Sequence, residues 1–404
     1  MKIDVPCRHT AELGRLFADI GQPVRFVGGC VRDTLKNNAV KDIDLASPAR
    51  PEVVLEAAEA AGYRVIPTGL QHGTVTVVID GEGYEITTLR ADVETDGRHA
   101  TVAFVNDFET DAARRDFTFN AMSADLDGTV HDYFGGVDDL AAGRTMFVGN
   151  MDDRITEDYL RILRFYRFRA RYGGSEPRGY SEGVWKHGDG LTRISGERIW
   201  SELSRIITVP TYAWPTVREL DYSGILRSCG LAIDGGDPRV SIALMVNRFA
   251  ANRPAAILGM LARDAEALEA VSERWRLSTA ERALSQIVLD IRRTEASERD
   301  SLDTEMYEPH FWIDRAVEGE PIEDIRTALY LLGHEFLAER LPSVPPVFPV
   351  KGQDLLDRGM KPGKQVGLKL RELKDAWKAS RYTLDADELL ADPTPAPIAG
   401  GPRP

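Results

Sequence analysis

The first 140 residues alternate between short apolar runs and amphipathic runs, a pattern typical of a mixed α/β segment. Val24–Val27 predicts a strand that ends at a pair of glycines, and Pro51–Ala61 predicts a helix that stops at Gly62. Two β-rich runs, Gly73–Ile79 and Tyr84–Leu89, flank an Asp-Gly-Glu-Gly turn and predict a hairpin. We therefore expect this segment to fold around a small mixed β-sheet.

Three further features of this segment matter for function. Val31–Lys36 predicts a short helix directly after the glycine pair, and Ile43–Ala46 predicts another strand. Residues 91–100 (ADVETDGRHA) are polar and predict a mobile loop. The glycine pair, the helix and the strand thus follow one another closely along the chain.

Beyond about residue 150 the strand patterns nearly vanish, and helical periodicity dominates up to about residue 340. A proline-rich joint at 341–349 leads to a basic segment, and the final DPTPAPIAGGPRP has too little apolar content to pack. The predicted class is α+β, a small mixed-sheet head followed by helical domains. The predicted parts are a head (1–140), a neck (141–210), a helical body (211–340), a basic tail (341–390) and a disordered C-terminus (391–404).

Composition narrows the classes of protein that remain. The net charge is −14, so a nucleic-acid partner would have to be met by local basic patches. One such patch, residues 340–381, carries ten Lys/Arg against four Asp/Glu. The three cysteines are scattered, which fits a reducing cytosol, and we expect a cytoplasmic protein with no signal peptide and no membrane span.

The strongest chemical motif is Gly-Gly-Cys-Val-Arg-Asp at 28–33. Gly28 and Gly29 stand between a strand and a helix, where backbone amides can approach an anion closely. Arg32 lies in the first turns of that helix, so its guanidinium can reach a phosphate. The spacing matches neither GxGxxG nor GxxxxGK[ST], so neither a Rossmann site nor a P-loop is expected.

A pair of carboxylates follows this motif nine residues later. Asp42 and Asp44 are two apart on a predicted strand, so their side chains share one face. Carboxylates side by side repel each other unless a cation neutralises them, and hard oxygen ligands favour Mg²⁺. Glu85, on the second hairpin strand, could complete a site for two Mg²⁺ ions or accept a proton. The combination predicts metal-dependent nucleotidyl transfer.

Nine motifs in order carry a resemblance to a known family. They are GGCVRD, KDIDL, HGTVTV, YEITTLR, DGRHATV, RRDFTFNAMSAD, HDYFGGVDDL, EDYLRILRFYRF and ISGERIWSEL. Residues from about 24 to 207 closely resemble the class II CCA-adding enzymes of the tRNA nucleotidyltransferase/poly(A) polymerase family. The resemblance implies template-independent, Mg²⁺-dependent addition of CCA to tRNA from CTP and ATP.

The same resemblance implies roles for individual residues. Asp42 and Asp44 match the metal-binding pair and Glu85 matches the third carboxylate, while Gly29 and Arg32 match triphosphate contacts. The block RRDFTFN implies nucleotide contacts from three further side chains, which are Arg115, Asp116 and Asn120. The loop 96–100 matches the flexible loop of enzymes that add both C and A.

Base selection is predicted at the start of the next helix. Thr156 is predicted as its N-cap, which would put Asp158 and Arg161 on one helix face. A carboxylate beside a guanidinium complements the amino donor and ring acceptor of cytosine and adenine, and mismatches uracil and guanine. The family's EDxxR motif implies this role for Glu157, Asp158 and Arg161, and places Arg164 and Arg167 near the nucleotide.

RNA contacts are predicted in the basic tail, with tRNA recognised by shape and backbone. The residues are Lys351, Lys361, Lys364 and Lys369. Three alternatives stay open at this point: a bacterial poly(A) polymerase, an enzyme that adds only CC or only A, and an inactive RNA-binding relative. Intact Asp42, Asp44 and Glu85 argue against the last.

Overall fold

A computed structural model describes residues 1–70, 73–95, 100–209, 212–233, 253–298 and 305–391. These residues divide into two compact units. The first contains the described residues up to 233 together with 270–276, and the second contains 253–269 and 277–391. The finer division into head, neck, body and tail stays a prediction.

The first unit contains a mixed sheet of seven strands and a separate two-stranded ribbon. The strands are β1 (Arg25–Val27), β2 (Asp44–Ser47), β3 (Arg64–Gly69), β4 (Thr74–Ile79), β5 (Glu82–Thr88), β6 (Arg90–Thr95), β7 (Ala100–Phe104), β8 (Ser123–Asp125) and β9 (Val130–His131). The sheet order is β3-β4-β5-β2-β1-β8-β9, with β2 and β5 parallel and the other neighbours antiparallel. This order makes β2 and β5 central neighbours.

The predicted hairpin is confirmed as β4 and β5. Every second residue of β4 is buried, because one face of the sheet is covered; these residues are Val75, Val77 and Ile79. Asp80 and Gly81 alone join the strands, and both have positive φ, as a two-residue hairpin turn requires. The turn is therefore tighter than the sequence pattern suggested.

The loop predicted over 91–100 is wrong in part. Arg90–Thr95 and Ala100–Phe104 pair as the antiparallel ribbon β6–β7, since backbone pairing holds even this polar stretch in strands. Asp96, Gly97, Arg98 and His99 lie outside the described residues. The flexible-loop role predicted for 96–100 therefore stays a prediction.

Beyond β9 the described residues contain helices and turns and no further strand, which confirms the predicted change at about residue 150. The helices of the first unit are α1 (Thr10–Asp19), α2 (Gly29–Leu35), α3 (Pro51–Ala60), α4 (Phe108–Ala113), α5 (Gly136–Ala142), α6 (Met151–Glu157), α7 (Leu160–Tyr172), α8 (Tyr180–Trp185), α9 (Gly196–Ile207), α10 (Ala213–Tyr222) and α11 (Ile225–Cys229). Short 3₁₀ turns at Thr118–Asn120 and Gly188–Arg193 join some of them.

The remaining helices are Pro254–Leu261, Ala265–Arg274, Thr279–Glu298, Pro309–Val317, Ile322–Leu331, Glu335–Arg340, Gly352–Asp357, Lys364–Ala379 and Ala386–Leu390, with a 3₁₀ turn at Glu305–Tyr307. The basic segment has a core of its own, formed by Val350, Leu355, Leu373, Trp377 and Leu389. We find no helix in the described ranges whose length and hydropathy would let it cross a bilayer.

An aromatic cluster fixes helix α7 against the end of the sheet domain. The ring of Phe168 lies 5.4 Å from Phe117 and 5.3 Å from Phe119, in edge-to-face geometry. Phe117 and Phe119 are fully buried and Phe168 nearly so, which makes this contact a rigid one. Helix α7 is therefore packed against the segment that contains Phe117 and Phe119.

Candidate active site

A cavity of about 550 Å³ opens in the first unit where β2, β5, α2 and the start of α7 meet. Most of the sequence-predicted catalytic and nucleotide-binding residues line it. They are Gly28, Gly29, Arg32, Asp44, Glu85, Arg115, Asp116, Asn120, Asp158, Arg161 and Arg164. The predicted residues Asp42, Glu157 and Arg167 do not line this cavity.

Gly28 has a backbone conformation that favours glycine. Its φ of +66° is in the left-handed region, and a Cβ there would lie 2.9 Å from Nη1 of Arg115. Arg115 itself donates to the carbonyl oxygen of Asn120 at 3.3 Å and pairs with Asp111 at 3.2 Å. The absent side chain thus lets a guanidinium approach the start of α2 beside the cavity.

Asp44 and Glu85 stand next to each other because β2 and β5 are parallel neighbours. The register pairs these two residues directly, so the second hairpin strand places a carboxylate beside Asp44. Burial raises the pKa of Asp44 above its ordinary value, the charges of Glu85 and Asp42 raise it further, and Arg115 opposes them. Among the described residues, none donates a hydrogen bond to the Asp44 carboxylate or forms an ion pair with it.

Asp42 differs from its prediction. Strand β2 begins at Asp44, so Asp42 precedes the strand, is exposed and does not share a strand face with Asp44. The prediction of an i, i+2 strand pair is therefore wrong, since backbone pairing starts only at Asp44. The two carboxylates remain close enough for the charge of Asp42 to raise the pKa of Asp44.

This donor set fits a divalent cation of the Mg²⁺ type. The carboxylate of Asp44 is half-buried and has two acidic neighbours, so a cation would relieve its unfavourable charge. Within the described residues no three metal-binding side chains form a complete cage. Mg²⁺ is usually held by one or two carboxylates, with water and substrate phosphates as its other ligands.

Buried hydrogen bonds connect the glycine motif with the arginine face of α7. Nη1 of Arg32 donates to Oδ1 of Asn120 at 2.5 Å, and Nδ2 of Asn120 donates to Oδ1 of Asp116 at 2.9 Å. Nε of Arg164 donates to Oδ2 of Asp116 at 2.7 Å. Four predicted residues therefore act as one network.

Asp116 is the anionic centre of this network. Burial alone would raise the pKa of Asp116, but the charge of Arg164 and hydrogen bonds from Asn120, Arg164 and the Phe117 amide outweigh burial and lower it. The carboxylate therefore stays ionised and holds Arg164 at the cavity wall.

Arg167, predicted near the nucleotide, points elsewhere. Its Nε donates to Oε2 of Glu202 at 2.5 Å, and it lines a second cavity. Glu202 is buried and also lies 3.7 Å from Nη1 of Arg164. Because helical residues three apart diverge by about 60° in direction, Arg164 and Arg167 reach different cavities while sharing one carboxylate.

The base-reading segment differs from its prediction in local structure. Thr156 is not an N-cap; it lies in the last turn of α6, and its hydroxyl donates to the carbonyl of Asp152. Asn150 caps α6 instead, accepting hydrogen bonds from the amides of Asp152 and Asp153. The helix that carries the arginines, α7, begins only at Leu160, four residues after Thr156.

Asp158 and Arg161 therefore do not share a helix face as predicted. Asp158 lies in extended conformation between α6 and α7, and its Oδ1 accepts from the amide of Leu160 at 3.1 Å. Arg161 is bound to Glu157 at 2.6 Å and to the carbonyl oxygen of Arg154 at 2.8 Å. Asp158 and Arg161 nevertheless both line the cavity.

Three comparisons with known proteins bear on this geometry. A family model described as "Poly A polymerase head domain" matches residues 24–145. The "CCA tRNA nucleotidyltransferase 1, mitochondrial" of Danio rerio is 36% identical over 94% of this chain and 89% of its own length. The protein of that name from Homo sapiens is 35% identical over 94% and 88%. The chain belongs to the CCA tRNA nucleotidyltransferase family.

Solved structures of CCA-adding enzymes share the fold. The Bacillus stearothermophilus enzyme, whose crystal structure contains CTP, superposes with a TM-score of 0.72 at 25% identity, covering 92% of this chain and 93% of that one. The Thermotoga maritima CCA-adding enzyme complexed with tRNA gives a TM-score of 0.69 at 21% identity over 94% and 93%. The predicted α+β class and the predicted family are confirmed.

Two side chains that were not predicted as site residues contact the site. Arg198 lines the cavity and donates to Oδ2 of Asp158 at 2.7 Å. Glu202 joins Arg164 and Arg167. Arg198 and Glu202 lie four residues apart on α9 and therefore on one helix face. This spacing is the sequence signal that could have indicated a shared role.

The lysines predicted to contact RNA lie in the second unit. Lys351, Lys361 and Lys364 are exposed, while Lys369 pairs with Glu372 at 2.8 Å. Two neighbouring lysines, Lys374 and Lys378, are instead bound to Glu318. The exposed lysines keep their charge available, but their contact with RNA stays a prediction.

Proposed function

We propose that this chain adds C, C and A to the 3′ end of tRNA from CTP and ATP, without a nucleic-acid template. The relatives' names and the CTP and tRNA of the related crystal structures support this reading. One observation carries it: Asp158 and Arg161 line the same cavity as Asp44 and Glu85. Groups able to recognise a base thus lie beside groups suited to phosphoryl chemistry.

Mg²⁺ is proposed as the metal, held by Asp42 and Asp44 with Glu85 beside them. When bound, the metal would polarise the phosphate under attack and favour the ionised form of the attacking hydroxyl. Glu85 is exposed at the cavity and can accept the proton of that hydroxyl. Gly28, Gly29 and Arg32 are proposed to contact the triphosphate.

Base selection is proposed to come from Asp158 and Arg161. Oδ of Asp158 would accept a hydrogen bond from the exocyclic amino group of cytosine or adenine. Arg161 holds Glu157 through Nη1 and would donate to the adjacent ring nitrogen through another N–H of its guanidinium. Uracil and guanine present a carbonyl and an N–H at these points, so both protein groups would face mismatched partners. The Asp116 network, with Arg115, would hold the sugar and Arg164.

Poly(A) polymerase is the second candidate, because the matching head model is described by that activity. CC-only or A-only addition uses the same groups.

Lys351, Lys361 and Lys364 are proposed to contact tRNA phosphates. A cytoplasmic location stays a prediction, since the vertebrate relatives are named as mitochondrial.

The test supplies the purified protein with a tRNA transcript that lacks its 3′ terminus and with one nucleoside triphosphate at a time. We expect incorporation from CTP with Mg²⁺, and none with excess chelator. UTP and GTP should be used far less than CTP. Equal use of all four triphosphates would contradict the assignment of Asp158 and Arg161.

A further inference from the structure

A second cavity of about 750 Å³ lies beside the first in the same unit. The two cavities share Gly29, Arg32 and Asp44 in their walls. They differ in the carboxylates that flank Asp44. Glu85 lines only the first cavity, and Asp42 lines only the second. Asp44 therefore stands at the boundary between two spaces.

Three exposed cationic side chains line the second cavity. Lys41 and Arg205 are exposed, and neither forms an ion pair with another residue in the described part of the chain. Arg171 is 43% exposed and lies 3.5 Å from Asp33, a carboxylate already paired with Arg32 at 2.7 Å. This wall therefore has the charge and the donors to bind a phosphate-containing anion.

The geometry of nucleotidyl transfer indicates which cavity lies on the side of attack and which lies on the side of the leaving group. The RNA 3′ oxygen forms a bond to the α-phosphorus, the bond from that phosphorus to the bridging oxygen breaks, and pyrophosphate leaves with the electron pair. The attacking and leaving oxygens lie roughly in line on opposite sides of phosphorus. Glu85, the proposed proton acceptor, marks the side of attack. The second cavity, which Asp44 lines and Glu85 does not, then lies on the side of the leaving pyrophosphate.

We infer that the second cavity binds inorganic pyrophosphate as it leaves, through Arg205, Arg171 and Lys41. This inference rests on the proposed function, because pyrophosphate forms only if nucleotidyl transfer occurs. The anion would move from Gly29 and Arg32, shared by both cavities, toward the arginines of the second. The cavity volume lies within the range of small-molecule sites.

The test uses the reverse reaction, in which pyrophosphate with Mg²⁺ shortens a tRNA ending in CCA and releases a nucleoside triphosphate. Arg205→Ala should raise the KM for pyrophosphate about tenfold, the loss expected for one charge-assisted hydrogen bond. Arg205→Lys should recover part of this loss. Arg227→Ala is the matched control, since Arg227 is exposed on α11 and lines neither cavity.

A second measurement separates pyrophosphate from RNA as the occupant. The Kd for tRNA, measured by fluorescence anisotropy without nucleotide, should be the same for Arg205→Ala and wild type. Weaker tRNA binding with an unchanged KM for pyrophosphate would overturn the inference and assign the cavity to the RNA strand. Unchanged values for both would also overturn it.

The proposed function can fail separately, which would show as no nucleotide addition by the wild-type protein. If Arg205→Ala does not fold, as judged by its melting transition, Arg205→Gln replaces it. We expect Arg205→Gln to fold because Arg205 is exposed and makes no ion pair with a described residue.

Discussion

Replacing Arg161 by alanine tests the base-reading assignment most sharply. The guanidinium lies at the cavity, with its side chain 14% exposed, and would donate to N3 of cytosine or N1 of adenine. A hydrogen bond to a charged group contributes ~1.5–3 kcal/mol, so kcat/KM for CTP should fall about 10- to 150-fold. The kcat/KM for UTP should stay the same or rise, because the N3–H of uracil no longer faces a competing donor. The ratio of CTP to UTP should therefore fall by at least tenfold.

Folding should survive this change. Arg161→Ala removes the ion pair with Glu157 at 2.6 Å and the hydrogen bonds to the Arg154 carbonyl at 2.8 Å and the Arg114 carbonyl at 3.4 Å. Glu157 keeps Arg154 as a partner at 2.5 Å, so no buried charge is left alone. We expect a loss of about 1–2 kcal/mol in the free energy of unfolding.

The assay is single-turnover extension of a tRNA transcript with each triphosphate, read at single-nucleotide resolution. Arg154→Ala is the matched control, because it removes the other arginine bound to Glu157 but does not line the cavity. It should cost similar stability and leave the CTP-to-UTP ratio unchanged. An unaltered ratio in Arg161→Ala would contradict the role of Arg161 in base recognition. Another side chain would then recognise the base, with Arg198 the first candidate.

Two further predictions follow from the carboxylates of the site. Asp44→Asn should abolish nucleotide addition. The melting temperature of this variant should stay equal to or above that of the wild type, because burial and acidic neighbours raise the pKa of Asp44 and disfavour its ionised form. Retained activity would contradict the metal assignment. Asp116 has a lowered pKa in the folded state, so its ionised form stabilises the fold above the unfolded-state pKa of about 4. This stabilisation is lost as pH falls through the folded-state pKa, so urea unfolding should show wild type more stable than Asp116→Asn at pH 6 and a shrinking difference below about pH 4. A constant difference would contradict the role given to Arg164.

Local patterns were enough to predict much of the sheet domain. Pro51 at a helix start, alternating burial in β4 and the Asp80-Gly81 turn each depend on a few adjacent residues. The neighbour relation of Asp44 and Glu85 depends instead on the order of strands in the sheet. The sequence suggested that both belong to one site only because their chemistry fits together.

The errors arose where two local signals competed or where the partner lies far along the chain. Thr156 has a good capping side chain, but it lies in the last turn of a helix capped by Asn150, and the helix with the arginines begins only at Leu160. Arg167 was assigned by its motif, yet Glu202, distant in sequence, turns it toward the second cavity. Arg198 reaches Asp158 across 40 residues, so no local pattern could have assigned that contact.

The product made on tRNA distinguishes CCA addition from poly(A) synthesis in a single measurement. Purified protein with Mg²⁺ receives tRNAs ending at the discriminator base, at C or at CC, with CTP, ATP or both, and an unstructured RNA serves as the control substrate. We expect growth by C, C and A followed by arrest on the shortest tRNA, and addition of A alone to the tRNA ending in CC. Long A tails on the unstructured RNA would contradict it and mark a poly(A) polymerase.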